Sequence, residues 1–205
     1  MNTIKTLSLS LFSVILTTSI YAQTFKEPVS FKLKNGMNII VSESNRSPKA
    51  YASFTLDNKA FSNKKDGIVE MLNAVLNENA TKNSVLNFRD NGGKLAVPAI
   101  DFDKELTNMA SILQNANIDQ QTFNTAKAKL LTSIKLQDYD YDQTVNETSI
   151  GNLTLNDVKE FYNEISPEKT YLTIAGNIEL DAAKIAAKKA FATWNNHKQN
   201  HALAK

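Results

Sequence analysis

Phe31-Lys32-Leu33-Lys34-Asn35-Gly36-Met37-Asn38-Ile39-Ile40-Val41 is the stretch that decides the fold. Phe31 and Leu33 alternate with lysines, the period of a strand with one buried face. Asn35-Gly36 tolerates positive φ, and a β-branched run follows it, so the stretch predicts a hairpin. Tyr51-Ala52-Ser53-Phe54-Thr55-Leu56 alternates again and predicts a third strand. After Asp66-Gly67 the period changes. Ile68, Met71, Leu72, Val75 and Leu76 recur at three and four, which predicts a helix that stops at Asn79.

Residues 85–88 read as a short helical segment, Asn91-Gly92-Gly93 as its breaker, and 94–100 as a strand that Pro98 confines to an edge or an end. Asp101 or Asp103 caps the next helix, with Leu106, Met109, Ala110 and Leu113 on one face. A long helix starts near Asp119, carrying Phe123, Ala126, Leu130 and Ile134. Residues 137–151 read as a polar loop. Thr154-Leu155-Asn156-Asp157 resembles a capping box and opens a helix with Leu155, Val158, Tyr162 and Ile165. Ser166-Pro167 turns the chain into a strand, Tyr171-Leu172-Thr173-Ile174-Ala175, ending at Gly176-Asn177. Leu180, Ala183, Ala187, Phe191 and Trp194 form the stripe of a last helix. Strands early, helices in the middle and a strand–helix ending predict an α+β fold: one mostly antiparallel sheet covered by helices.

With 42% hydrophobic and 21% charged residues in 205, the composition suits one ordinary domain with a real core. Lys5 followed by an apolar stretch over 7–20 and Ala22 reads as a signal peptide, 1–22, cleaved before Gln23. Kept uncleaved it would be an anchor, but the stretch is short beside the ~20 residues a span needs. The expected domain covers 24–196, and 197–205 is a polar tail. The predicted location is therefore periplasmic or secreted, with no membrane span after signal removal. There is no cysteine, so stability must come from burial alone. The net charge of +2, falling to +1 when Lys5 leaves, and lysines scattered among acids exclude a nucleic-acid footprint.

The order of these phrases resembles a domain of the insulinase/pitrilysin-type zinc peptidases. The hairpin with its Leu33-Lys34-Asn35-Gly36 turn is similar to that family's opening. Val158-Lys159-Glu160-Phe161-Tyr162, Pro167, then Leu172-Thr173-Ile174-Ala175-Gly176-Asn177, and finally Phe191-Ala192-Thr193-Trp194 are similar to its close. Active members carry H-x-x-E-H on the first helix, where two histidines bind zinc and the Glu polarises water. A third ligand, a Glu, comes from a later helix. Here the motif falls on Glu70-Met71-Leu72-Asn73-Ala74, and the later Glu falls near Ser133. Glu70, Asn73, Ala74 and Ser133 thus stand where the resemblance places the ligands and base. It implies a degenerate domain with no zinc, no other cofactor and no peptidase activity. Residues 89–100 and 135–151 are shorter than the family pattern. Relatives join two or more such domains into a clamshell, and the sequence is compatible with descent from the catalytic half or the non-catalytic one.

Other constellations are weaker. His197 and His201 have the spacing of a helical metal pair but sit in the polar tail without an acid beside them. Asp138, Asp140 and Asp142 raise calcium, yet Gln143 and Ser149 stand where an EF-hand needs Gly and Glu. Asn91-Gly92-Gly93-Lys94 lacks the Walker spacing. Three functions compete: a partner or accessory subunit of an active zinc peptidase, a stand-alone peptide- or protein-binding module of the cell envelope that uses its sheet edge, and an unconventional metal enzyme. The first is preferred, with the sheet and first helix as contact face. Glu70, Asn73, Asn77 and Glu78 are expected to keep that face wet.

Overall fold

The computed structural model describes residues 26–62, 64–80 and 85–195. The signal segment 1–22 and the tail with His197 and His201 lie outside the described residues. The expected hairpin is β1 (Val29–Lys32) and β2 (Asn38–Glu43), paired antiparallel around Asn35-Gly36. Gly36 takes φ +91°, a conformation that L side chains rarely adopt, which is why glycine stands there. Asn35 does more than turn the chain. Its side-chain amide donates to the carbonyls of Phe191 (2.7 Å) and Trp194 (2.9 Å), tying the hairpin to the end of the last helix.

β3 (Lys49–Leu56), β5 (Gly92–Pro98) and β6 (Thr170–Gly176) complete the centre of a six-stranded sheet ordered β1-β2-β6-β3-β5-β4, with β4 at Asn87–Arg89. Four of the five pairings are antiparallel; β2 and β6 run parallel. The fold is α+β. Alternation decides which face is dry: Ala50, Ala52, Phe54 and Leu56 are buried, and so are Ile39, Val41, Leu172 and Ile174 on neighbouring strands. Burying one such side chain stabilises the fold by roughly 1.5–3 kcal/mol, so this row outweighs any surface ion pair.

The helices α1 (Ile68–Asn79), α2 (Phe102–Gln114) and α6 (Leu180–Phe191) pack against the strands, α3 (Gln120–Leu136) and α5 (Leu155–Glu164) pack on α1, and α4 (Glu147–Asn152) packs on α3. The expected stripes are buried: Ile68, Met71, Leu72, Val75 and Leu76 on α1, and Leu106, Met109, Ala110 and Leu113 on α2. The capping box of α5 forms. The Thr154 amide donates to the Asp157 carboxylate (2.8 Å), and the Asp157 amide donates to Thr154 Oγ1 (3.2 Å). Asp119 caps α3 by accepting from the Thr122 amide at 2.7 Å.

Five expectations need correction. Residues 85–88 do not form a helix; Asn87–Arg89 is a strand, because the buried Leu86 and Phe88 alternate with exposed neighbours. Gly92 and Gly93 do not break the chain. They belong to β5, and the turn is Asp90-Asn91, with Asp90 at φ +54°. A Cβ on Gly92 would lie 2.0 Å from the Phe54 carbonyl oxygen, and one on Gly93 would meet the Phe88 ring at 2.7 Å, so the glycines let strands approach. The polar stretch 137–151 is not all loop, since Asn146 accepts from the Thr148 and Ser149 amides and starts α4. Asp101 occupies the cap position of α2 without making a side-chain capping bond, and α6 ends at Phe191, so Trp194 is buried just beyond the helix.

Candidate functional site

Glu70, Asn73, Ala74 and Asn77 recur at three and four residues, so the helical period puts them on one face of α1. They form one wall of a cleft of about 340 Å³. The β4–β5 turn forms a second wall, and Leu130 with residues 139–142 a third.

The face expected to be wet is so only in part: Asn77 is exposed and Glu70 and Glu78 are half-buried. Asn73 is only 6% exposed, and its amide donates to the Asp90 carbonyl at 2.8 Å. Asn77 donates to the Phe88 carbonyl at 2.8 Å and accepts from the Phe88 amide at 2.9 Å. Glu78 accepts from Lys129 of α3 at 2.6 Å. Three of the four polar residues therefore join α1 to its neighbours. Glu70 lines the cleft without such a bond among the described residues. Burial pushes its carboxyl above the ordinary carboxylate range, with Asp142 and Asp66 adding to the rise and Lys64 opposing it.

Ser133, on α3, does not line the cleft but supports its third wall: its hydroxyl hydrogen-bonds Asp138, and Tyr141 at 2.9 Å. The 138–142 segment, read from sequence as a solvated acidic loop, is pinned over the cleft. Tyr139 donates its hydroxyl to Asp90, the Arg89 guanidinium lies 4.1 Å from the Tyr139 ring centre, and the Tyr139 and Tyr141 rings meet edge-on at 4.7 Å. Hydrogen bonds from Lys94 and Tyr139 hold the Asp90 carboxyl below its ordinary range, and the bond to Asp90 raises the Tyr139 phenol. Sequence reasoning missed Arg89, Asp90, Tyr139 and Tyr141. The one available signal was two tyrosines alternating with aspartates, which marks a segment with something to pack against.

On the other side of the sheet, among the described residues, Tyr51 and Ala96 are exposed and Ser53, Thr173 and Ala175 half-buried. Tyr51, Ser53, Val85, Ala96, Thr173 and Ala175 line a shallow depression of about 440 Å³. Among the described residues, no three of His, Cys, Asp and Glu are grouped so as to hold a metal ion. No helix of the described residues is long and apolar enough to cross a membrane.

The family model described as "Peptidase M16 inactive domain" matches residues 152–205. No curated protein sequence matches the chain. Among solved structures, a protease from Helicobacter pylori is similar over 83% of this chain and 51% of its own, with a TM-score of 0.70 and 16% identity. A chain of Complex III2 from Candida albicans is similar over 79% of this chain and 46% of its own, with a TM-score of 0.68 and 16% identity. Pitrilysin is similar over 84% of this chain and 23% of its own, with a TM-score of 0.68 and 12% identity. The chain thus spans about half of the first two and about a quarter of the third. Its fold is that of a single insulinase/pitrilysin-type peptidase domain, its last quarter matches that family's inactive domain, and it carries no H-x-x-E-H motif.

Proposed function

We propose that this chain is an exported, non-catalytic relative of the insulinase/pitrilysin-type peptidases that serves as partner or accessory subunit of an active zinc peptidase. The observation that carries the reading is the donor set on α1. At the three motif positions stand a carboxylate (Glu70), an amide already committed to the Asp90 carbonyl (Asn73) and a side chain with no donor atom (Ala74). The Ser133 hydroxyl is engaged with Asp138 and Tyr141. A closed or catalytic zinc site needs three or four N, S or carboxylate ligands, and one carboxylate does not make it. These residues do not fit zinc. No hydrolytic step is therefore assigned to the cleft.

One further observation supports a partner role: a similar chain from Candida albicans is part of Complex III2. The exposed Tyr51 and Ala96 beside the shallow depression favour the alternative of a stand-alone binding module of the envelope.

The test is elemental analysis and a peptidase assay on purified protein, together with affinity capture from the native envelope. We expect no stoichiometric zinc, no chelator-sensitive cleavage of unstructured peptides, and co-purification of a protein carrying H-x-x-E-H. Stoichiometric zinc with such cleavage refutes the non-catalytic reading, and capture of no peptidase shifts the function to the stand-alone module. Export predicts an N-terminus at or near Gln23 by mass spectrometry of the envelope fraction; recovery of the intact chain from the cytoplasm rules it out.

A further inference from the structure

Among the described residues, β4 is the last strand of the sheet and pairs only with β5. Arg89 and Gly92 close the turn as partners, so the next pair, Phe88 with Gly93, directs the Phe88 N–H and C=O away from β5. Such outward groups are the ordinary docking points for an additional strand. Here they are taken. Asn77 accepts from the Phe88 amide (2.9 Å) and donates to the Phe88 carbonyl (2.8 Å), the reciprocal exchange that a residue of an antiparallel neighbour would make. A carboxamide can do this because it carries the donor and acceptor of a peptide group. One helical turn earlier, Asn73 donates to the carbonyl of Asp90, in the turn that follows the strand.

The periods match. Residues four apart on a helix are separated by about 6 Å along its axis, and alternate residues of a strand by roughly 6.7 Å. Two amides on one helix face can therefore serve the outward position at Phe88 and the turn carbonyl two residues further on. The cleft described above runs beside this edge, between α1, the strand and the Tyr139–Tyr141 wall.

We propose that α1 closes the β4 edge to other chains: Asn77 occupies, from within the molecule, the backbone position at Phe88 at which an extended peptide would add as a further strand, and Asn73 holds the adjoining turn. The cleft becomes a strand-docking site only when those amides let go. This holds whichever partner the domain has, and it removes peptide addition at β4 from the ways in which the native domain binds.

The experiment combines amide hydrogen exchange with fluorescence anisotropy, using a fluorescein-labelled peptide of alternating Thr and Val with Lys at both ends. In the wild-type chain the Phe88 amide should exchange as slowly as those of β5, and the peptide should leave the anisotropy unchanged. Asn77→Ala should speed Phe88 exchange by roughly tenfold or more. It should also bind the peptide, with protection at Phe88 restored on binding. Wild-type binding with added protection along β4 overturns the proposal, and so does a folded, fast-exchanging Asn77→Ala that ignores the peptide. If Asn77→Ala does not fold, the wild-type exchange decides: slow exchange at Phe88 supports closure, and exchange at the rate of a solvated turn overturns it.

Discussion

Gly92→Ala should be among the most damaging single-methyl additions in this protein. The added Cβ would sit 2.0 Å from the Phe54 carbonyl oxygen, 2.9 Å from its carbon and 3.1 Å from Thr55 Cα, all backbone atoms of β3. Relaxed C···O contacts in sheets lie near 3.3–3.6 Å, so the strands would have to part by more than an ångström. Overpacking of this kind costs about 1–3 kcal/mol. Parting the strands also strains the bond from the Leu56 amide to the Asn91 carbonyl (2.9 Å), which contributes a further ~1 kcal/mol. A loss of about 3 kcal/mol should lower the melting temperature by roughly 6–12 °C for a domain of this size. Gly151→Ala is the control. It lies in α4 with nothing within 4 Å of the added methyl, and should stabilise by about 0.5–1 kcal/mol. Urea unfolding of both variants, followed by Trp194 fluorescence, measures the contrast. A Gly92→Ala loss below about 1 kcal/mol would refute the claim that these glycines exist for close strand approach.

Three further outcomes are expected. Trp194→Ala should cost about 3–5 kcal/mol by calorimetry, because the ring is buried between Phe54 and Phe191 with centroids 5.9 and 6.1 Å away. Tyr162→Phe should cost about 1–2 kcal/mol, since the hydroxyl donates to the Leu113 carbonyl at 2.9 Å; in the wild type, burial pushes this phenol up to about 12, which an alkaline absorbance titration should show. Asp157 is held down from 3.8 to about 2 by Lys65 and the Thr154 cap. Its stabilisation is therefore fully present above pH 3.8 and lost as pH falls toward 2, and Asp157→Asn should flatten that limb of an acid unfolding curve.

The parts of the fold legible in the sequence are those whose signal is local. The Asn35-Gly36 turn, the α1 stripe from Ile68 to Leu76 and the Thr154–Asp157 box each announce themselves within a dozen residues. β4 was missed because two alternating apolar residues, Leu86 and Phe88, are too short a run to show a period. The Gly92-Gly93 pair misled because the reason for it lies on other strands, at Phe54 and Phe88. At the cleft, the positions Glu70, Asn73 and Ala74 were legible through resemblance, but the job of Asn73 was not. A polar residue on a helix looks solvent-facing until the unpaired groups of β4 are seen to need it.

The sheet order has a kinetic meaning. β6, residues 170–176, lies between β2 and β3, pairing parallel with one and antiparallel with the other. Until that segment emerges, the N-terminal hairpin has no strand pairing to β3, and the three-stranded β3-β5-β4 unit ends in a hydrophobic strand with an open side. Contacts spanning well over 100 positions, such as Asn38 with Tyr171, must form before either part is secured. High separation of this kind slows folding, because loop closure precedes any gain in burial. A nascent chain cut short before residue 170 should therefore stay protease-sensitive along its whole length, and the complete chain should become resistant in a single cooperative step.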